Sequence, residues 1–128
     1  MPLNDEEREG ILESMDVQSF SKGTLLLEEG QIANQAYFIL QGCVRQYRVV
    51  EGDEKTTNFF LDEEWVMSLN SMLQQTPADH YFACVEESLL VVGNQEKEMI
   101  LFEQFPRLET LSRMLLEQEL GKQQAFMN

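Results

Sequence analysis

Ala36-Tyr37-Phe38-Ile39-Leu40-Gln41-Gly42-Cys43-Val44-Arg45-Gln46-Tyr47-Arg48-Val49-Val50 is the stretch on which the fold turns. Its first five residues are apolar without alternation, so a strand there has no wet face. Gly42 then interrupts the run, at a point where a positive backbone dihedral costs glycine nothing. The segment 43–50 is a second β-rich run, and Glu51-Gly52-Asp53-Glu54 reads as a hairpin turn into a third at 56–61. Working outward, similar short runs occupy 24–27 before this centre, and 80–85 and 89–92 after it. Gly23 and Gly30 punctuate the early runs as Gly42 and Gly52 do the later ones. Several runs are apolar on both faces, which suits a closed or two-layered β structure. Residues 17–93 are therefore expected to form a β-roll of about eight strands in a jelly-roll-like arrangement.

The flanks read as helical. Asn4-Asp5-Glu6-Glu7 is a helix start, with Asn4 as cap and Glu7 reaching back in a capping box, before Ile11, Leu12 and Met15 on one face. A short helix at 68–75, with Leu69, Met72 and Leu73 at helical spacing, interrupts the strands and ends at Thr76-Pro77. Asn94 caps a further helix carrying Met99, Ile100 and Phe102, which stops before Phe105-Pro106. The last helix opens at Pro106 and carries Leu108, Leu111, Leu115 and Leu116 on an apolar stripe, with Met114 and Leu120 nearby. That stripe either folds back on the roll or pairs with its twin in a dimer, and periodicity leaves both open. The expected organisation is a sensor-sized roll with its N-terminal helix at 1–106, then the start of a longer helix at 107–128. The sequence stops while still helical, at Ala125-Phe126-Met127-Asn128, which suggests truncation or a lost C-terminal domain.

Composition narrows the function. The 128 residues suffice for one domain, with 43% hydrophobic and 25% charged residues. No apolar run is long enough to span a bilayer, and the acidic N-terminus is no signal peptide, so the expectation is a cytoplasmic protein without membrane association. Nine Lys and Arg against 23 Asp and Glu give a net charge of −14. Lys22, Lys55, Lys97 and Lys122 are scattered, so these residues by themselves should repel DNA. Cys43 and Cys84 sit in strand-like segments and read as buried, reduced thiols. The single histidine, His80, enters a strand and reads as structural. A cupin-like metal enzyme would need two or three histidines and a carboxylate. No Ser-His-Asp set, P-loop or dinucleotide fingerprint appears either. No metal, no cofactor and no catalysis are expected. Trp65, Phe59 and Phe60 read as core packing, and the runs Glu28-Glu29, Asp62-Glu63-Glu64 and Glu86-Glu87 as solvated turns.

The segment Lys22-Gly23-Thr24-Leu25-Leu26-Leu27-Glu28-Glu29-Gly30 resembles the opening strand pair of the cyclic-nucleotide-binding domains of the Crp/Fnr family. Tyr37-Phe38-Ile39-Leu40-Gln41-Gly42-Cys43-Val44-Arg45 is similar to that family's hydrophobic run, polar residue, glycine and outgoing strand. Cys84-Val85-Glu86-Glu87-Ser88-Leu89-Leu90-Val91-Val92 resembles its late strand pair, and 94–106 its penultimate helix. Ser71-Met72-Leu73-Gln74-Gln75-Thr76-Pro77 looks closest to a divergent branch common in Bacteroidetes-like bacteria. The resemblance covers roughly 10–128. It implies a sensor roll followed by a dimerisation helix in which Leu108, Leu111 and Leu115 pair two copies. Family members usually continue into a DNA-reading helix-turn-helix, which these residues do not contain.

Within the family, a Gly-Glu pair takes the ribose of cyclic AMP, and an Arg-Ser or Arg-Thr pair takes its phosphate through a forked, charge-assisted contact. By the resemblance, Met67-Ser68 stand at the first pair and Ala78-Asp79 at the second. The implied ligand pocket comprises Met67, Ser68, Leu69, Ala78 and Asp79, with Gln123 and Gln124 as helix contacts to a ligand. The implied function is the ligand-sensing domain of a Crp/Fnr-type transcription regulator that does not respond to cyclic AMP. Its partners would be a second copy, an unidentified small-molecule effector, and DNA only through the absent helix-turn-helix. The alternatives are a stand-alone module for dimerisation or protein interaction and, third, a true cyclic-nucleotide binder. Whether the roll holds a ligand or is filled by its own side chains is open at this point.

Overall fold

The computed structural model describes residues 3–127, with side chains described through Gln118 and Gly121. Two compact units emerge, one β (Val17–Val92) and one helical (Met1–Asp16 with Gly93–Asn128).

The β unit contains eight strands, as expected. They are β1 (Asp16–Phe20), β2 (Leu25–Leu27), β3 (Tyr37–Gln41), β4 (Val44–Val50), β5 (Asp53–Phe60), β6 (Trp65–Val66), β7 (Tyr81–Cys84) and β8 (Ser88–Val92). One four-stranded sheet has the order β1-β8-β3-β6 and the other β2-β7-β4-β5. Both faces of the 36–40 run are used: Phe38, Ile39 and Leu40 are all buried. Between the sheets Ile39, Val66 and Leu90 from the first meet Val44, Phe60, Phe82 and Cys84 from the second. Phe60 and Phe82 pack edge to face, with ring centroids 5.7 Å apart. Each such aliphatic or aromatic side chain contributes about 1.5–3 kcal/mol through removal from water.

The β4–β5 hairpin turns at Glu51-Gly52, where φ is +54° and +85°. Two consecutive positive values mark a primed two-residue turn, whose twist matches that of paired strands. Its last pairs, from Arg48↔Lys55 to Val50↔Asp53, lie beyond the part of β4 that β7 covers. Phe59 is exposed while Phe60 is buried, so of these two aromatics only one joins the core. The helix α2 (Leu69–Gln74) lies between β6 and β7 and ends on Gln75 in the left-handed region. Leu73, expected on its apolar face, is 70% exposed.

In the helical unit α1 spans Asp5–Ser14. Asn4 Oδ1 accepts the Glu7 N–H at 2.8 Å, and Glu7 Oε1 accepts the Asn4 N–H at 2.9 Å, completing the capping box. Glu7 is also buried and takes the guanidinium of Arg107. The helix α3 (Gln95–Gln104) is capped by Asn94, which accepts from Lys97 N–H. Gly10 lets the Phe105 ring lie against α1, since a Cβ there would stand 2.5 Å from Phe105 Cε2. The helix α4 (Pro106–Met127) buries Leu108 and Leu111, half-buries Leu115 and exposes Met114 and Leu116. No helix among the described residues is long and apolar enough to cross a membrane.

Candidate functional site

The β unit holds a cavity of about 330 Å³, near the lower end of small-molecule sites. Its apolar floor comes from Leu26 and Leu27 of β2, Ala33, and Phe82 of β7. The segment 31–35 arches over one side and contributes Gln31, Ile32, Asn34 and Gln35. Tyr37 of β3 and Ser68, at the start of α2, complete the wall. None of these lining residues carries a charge.

The arch is fixed by polar pins. Ser71 Oγ accepts the Ala33 N–H at 2.8 Å and donates to the Thr76 carbonyl at 2.6 Å, so one buried hydroxyl joins the arch to α2 and to its exit. Ala78 N–H donates to the Gln31 carbonyl, and Gly30 N–H to the Ala78 carbonyl, both at 2.8 Å. Ser68 is 5% exposed and its side chain does not cap α2. It is one of the residues that line the cavity. Burial holds the Tyr37 phenol above its usual range, with the Cys84 thiol adding to the shift. That group stays a neutral donor and acceptor at ordinary pH.

Of the five pocket residues inferred from sequence, only Ser68 lines this cavity. Met67 and Leu69 are buried elsewhere in the packing, at 7% exposure each. Ala78 is buried in the core cluster, and what it offers its surroundings is backbone. Asp79 points outward and is occupied: Oδ2 lies 2.9 Å from Arg48 Nη2, and Oδ1 lies 2.8 Å from His80 Nδ1. The His80 hydrogen bond, with the Arg48 charge behind it, holds the Asp79 carboxyl below the ordinary carboxylate range against a smaller opposing effect of partial burial. The His80 ring packs on Phe82 at 5.1 Å, and its Nε2 is buried without a partner. Gln123 and Gln124, expected as helix contacts, lie outside the described side chains. Sequence reasoning missed the arch. Its one signal is the polar pair Asn34-Gln35 with Gln31 just after a turn glycine, in a segment with no period of either kind.

Both cysteines are free thiols, Cys84 buried as expected and Cys43 only partly so. Burial raises both above the usual thiol range. Glu86, Asp62 and Glu64 push Cys43 further up, whereas a Ser88 hydrogen bond partly offsets the shift of Cys84. No group of three or more His, Cys, Asp or Glu among the described residues could hold a metal ion.

The sequence profile of the cyclic nucleotide-binding domain matches residues 17–107. The chain belongs to the cyclic nucleotide-binding domain family. Solved structures agree on the fold of this cyclic nucleotide-binding domain. The Catabolite Activator Protein of Thermus thermophilus superposes with a TM-score of 0.67 at 21% identity, over 98% of this chain and 59% of that one. A CooA mutant from Carboxydothermus hydrogenoformans gives 0.65 at 20% identity, over 98% and 80%. The N-terminal domain of a transcriptional regulator from Streptomyces coelicolor A3(2) gives 0.61 at 20%, over 94% and 86%. The chain thus spans about three-fifths of the length of the Thermus thermophilus protein. No curated protein matches the sequence.

Proposed function

We propose that the chain is the effector-sensing domain of a cytoplasmic Crp/Fnr-type transcription regulator whose effector is neither cyclic AMP nor cyclic GMP. The observation that carries this is the state of the 78–79 pair. Ala78 is an apolar core residue, and the carboxylate of Asp79 is committed to Arg48 and His80. A phosphate brought to that corner meets a carboxylate, and the one guanidinium beside it, that of Arg48, is already paired with that carboxylate. The anion therefore finds no uncommitted cation to offset its desolvation. The neutral cavity supports a roll that takes up a small molecule over one filled by its own side chains. The mechanism is allosteric: the effector binds one of two states more tightly and shifts their populations. The resemblance implies pairing with a second copy through α4, which would reposition DNA-binding domains in the complete regulator. Leu108 and Leu111 are buried within the chain, so such a contact would fall on the half-buried Leu115 and the exposed Met114 and Leu116.

Calorimetry on the 128-residue chain tests the reading. Neither cyclic AMP nor cyclic GMP is expected to bind more tightly than about 1 mM, an affinity of roughly −4 kcal/mol. Micromolar affinity for either would overturn it.

A further inference from the structure

We propose that the free edge of β5 is a docking site for an extended, basic segment of another protein, which adds to the second sheet as a fifth strand. No residue of β5 lines the cavity, so this inference stands apart from the effector-sensing reading.

Three features of the strand lead there. The first is its length. Among the described residues four strands stand at sheet edges: β6 has two residues, β2 three with a break in register, β1 five and β5 eight. β5 pairs with β4 along its full length, from Val50↔Asp53 to Val44↔Phe60, and no described strand flanks its other side. About half of its backbone N–H and C=O groups are therefore aimed away from the sheet, a template for another chain. It holds no proline to blunt that edge. The second feature is apolar. Phe60 faces the core, so its neighbour Phe59 faces outward, opposite Arg45, and is 54% exposed. A strand laid along β5 sets a side chain about 5 Å from Phe59 on the same face and takes part of that ring out of water.

The third feature, charge, selects the occupant. Residues 51–64 hold six acidic side chains, Glu51, Asp53, Glu54, Asp62, Glu63 and Glu64, against the single cation Lys55. They gather at the two ends of β5, and only Glu54 is matched there by an arginine from β4, Arg45. A second copy would set acidic ends against acidic ends in either strand direction, and like charges facing across a strand pair are destabilising. A segment with an apolar residue between basic ends meets Phe59 and both acidic clusters at once.

The test pans a displayed library of random peptides of about ten residues against the 128-residue chain. Enriched peptides are expected to alternate apolar and polar residues, to lack proline, and to carry Lys or Arg at both ends. The most enriched one is then synthesised for calorimetry and for hydrogen exchange of the chain's amides. Its binding should slow exchange within Asp53–Phe60 and weaken about fivefold or more between about 0.05 and 0.5 M salt. Phe59→Lys and Asp53→Lys, both at exposed positions, should each weaken it about tenfold, while Leu25→Lys on the β2 edge leaves it unchanged. Thermal melts check that all three variants fold as the wild type does. The inference is overturned if no peptide is enriched, if acidic or proline-rich peptides are, if protection falls outside β5, or if both β5 variants bind as the wild type does. It also falls if the chain sediments as a dimer that Phe59→Lys returns to monomer. None of these results bears on the cavity, whose reading is tested with cyclic nucleotides.

Discussion

At Gly42 one missing methyl group decides whether two strands can meet. Its φ is +138°, and a Cβ placed there would stand 2.3 Å from Ser88 Oγ and 2.8 Å from Ser88 Cα. Ser88 cannot retreat, because its hydroxyl accepts the Cys43 N–H and donates to the Glu86 carbonyl. Gly42→Ala combines a strained dihedral with a collision against backbone, and should cost about 3 kcal/mol or more, read as a fall in the urea midpoint. Asp79 offers a second residue-level test. Its folded-state pKa lies below that of the unfolded chain, so the ionised form stabilises the fold above the unfolded value, and that contribution is lost as pH falls through the folded one. Between about pH 5 and 2 the wild-type melting temperature should therefore drop more steeply than that of Asp79→Asn. Parallel slopes would show that the Arg48–Asp79–His80 cluster has no such role. Neither contact was legible in the sequence. Gly42 announced a turn but not its collision partner, and nothing local joins Arg48 in β4 to Asp79 ahead of β7.

Among the elements, legibility followed how local the signal is. The caps at Asn4 and Asn94 were readable because each is a side chain bonding a backbone N–H three residues on. The β4–β5 hairpin was readable because its turn residues dictate its geometry. The strand β1, Asp-Val-Gln-Ser-Phe, was not singled out, since its composition is mostly polar and its pairing with β8 supplies the order. The two-residue strand β6 is too short to leave a period and exists only through its register with Tyr37 and Phe38. The arch over the cavity is shaped by Ser71 and by backbone bonds to Ala78, so no pattern within 31–35 could reveal it. For α1 the decisive side chain is Glu7, which closes its own cap and also takes Arg107 from the first turn of α4. Glu7→Ala removes both interactions and leaves a buried hole, so it should destabilise by about 2–4 kcal/mol. Glu7→Gln keeps an acceptor for the cap and should cost less than half as much. Equal losses in chemical denaturation would show that the cap, not the ion pair, carries nothing.

For the molecule as a whole, charge sets the terms of its partnerships. With −14 over 128 residues, the chain should not shift a DNA duplex in a gel at low salt, whatever the sequence of that duplex. Retention that weakens as salt is raised would reveal a basic surface that the scattered lysines and arginines do not suggest.

The pairing of β1 with β8 has a consequence of its own. The first and last strands of Val17–Val92 are hydrogen-bonded neighbours, so the polypeptide enters and leaves this barrel-like body along a single seam about 5 Å wide. A body with such a seam can be grafted into a surface loop of an unrelated host with little prising apart of the host backbone. Insertion of Val17–Val92 at such a loop would therefore join the host to two adjacent strands of one sheet.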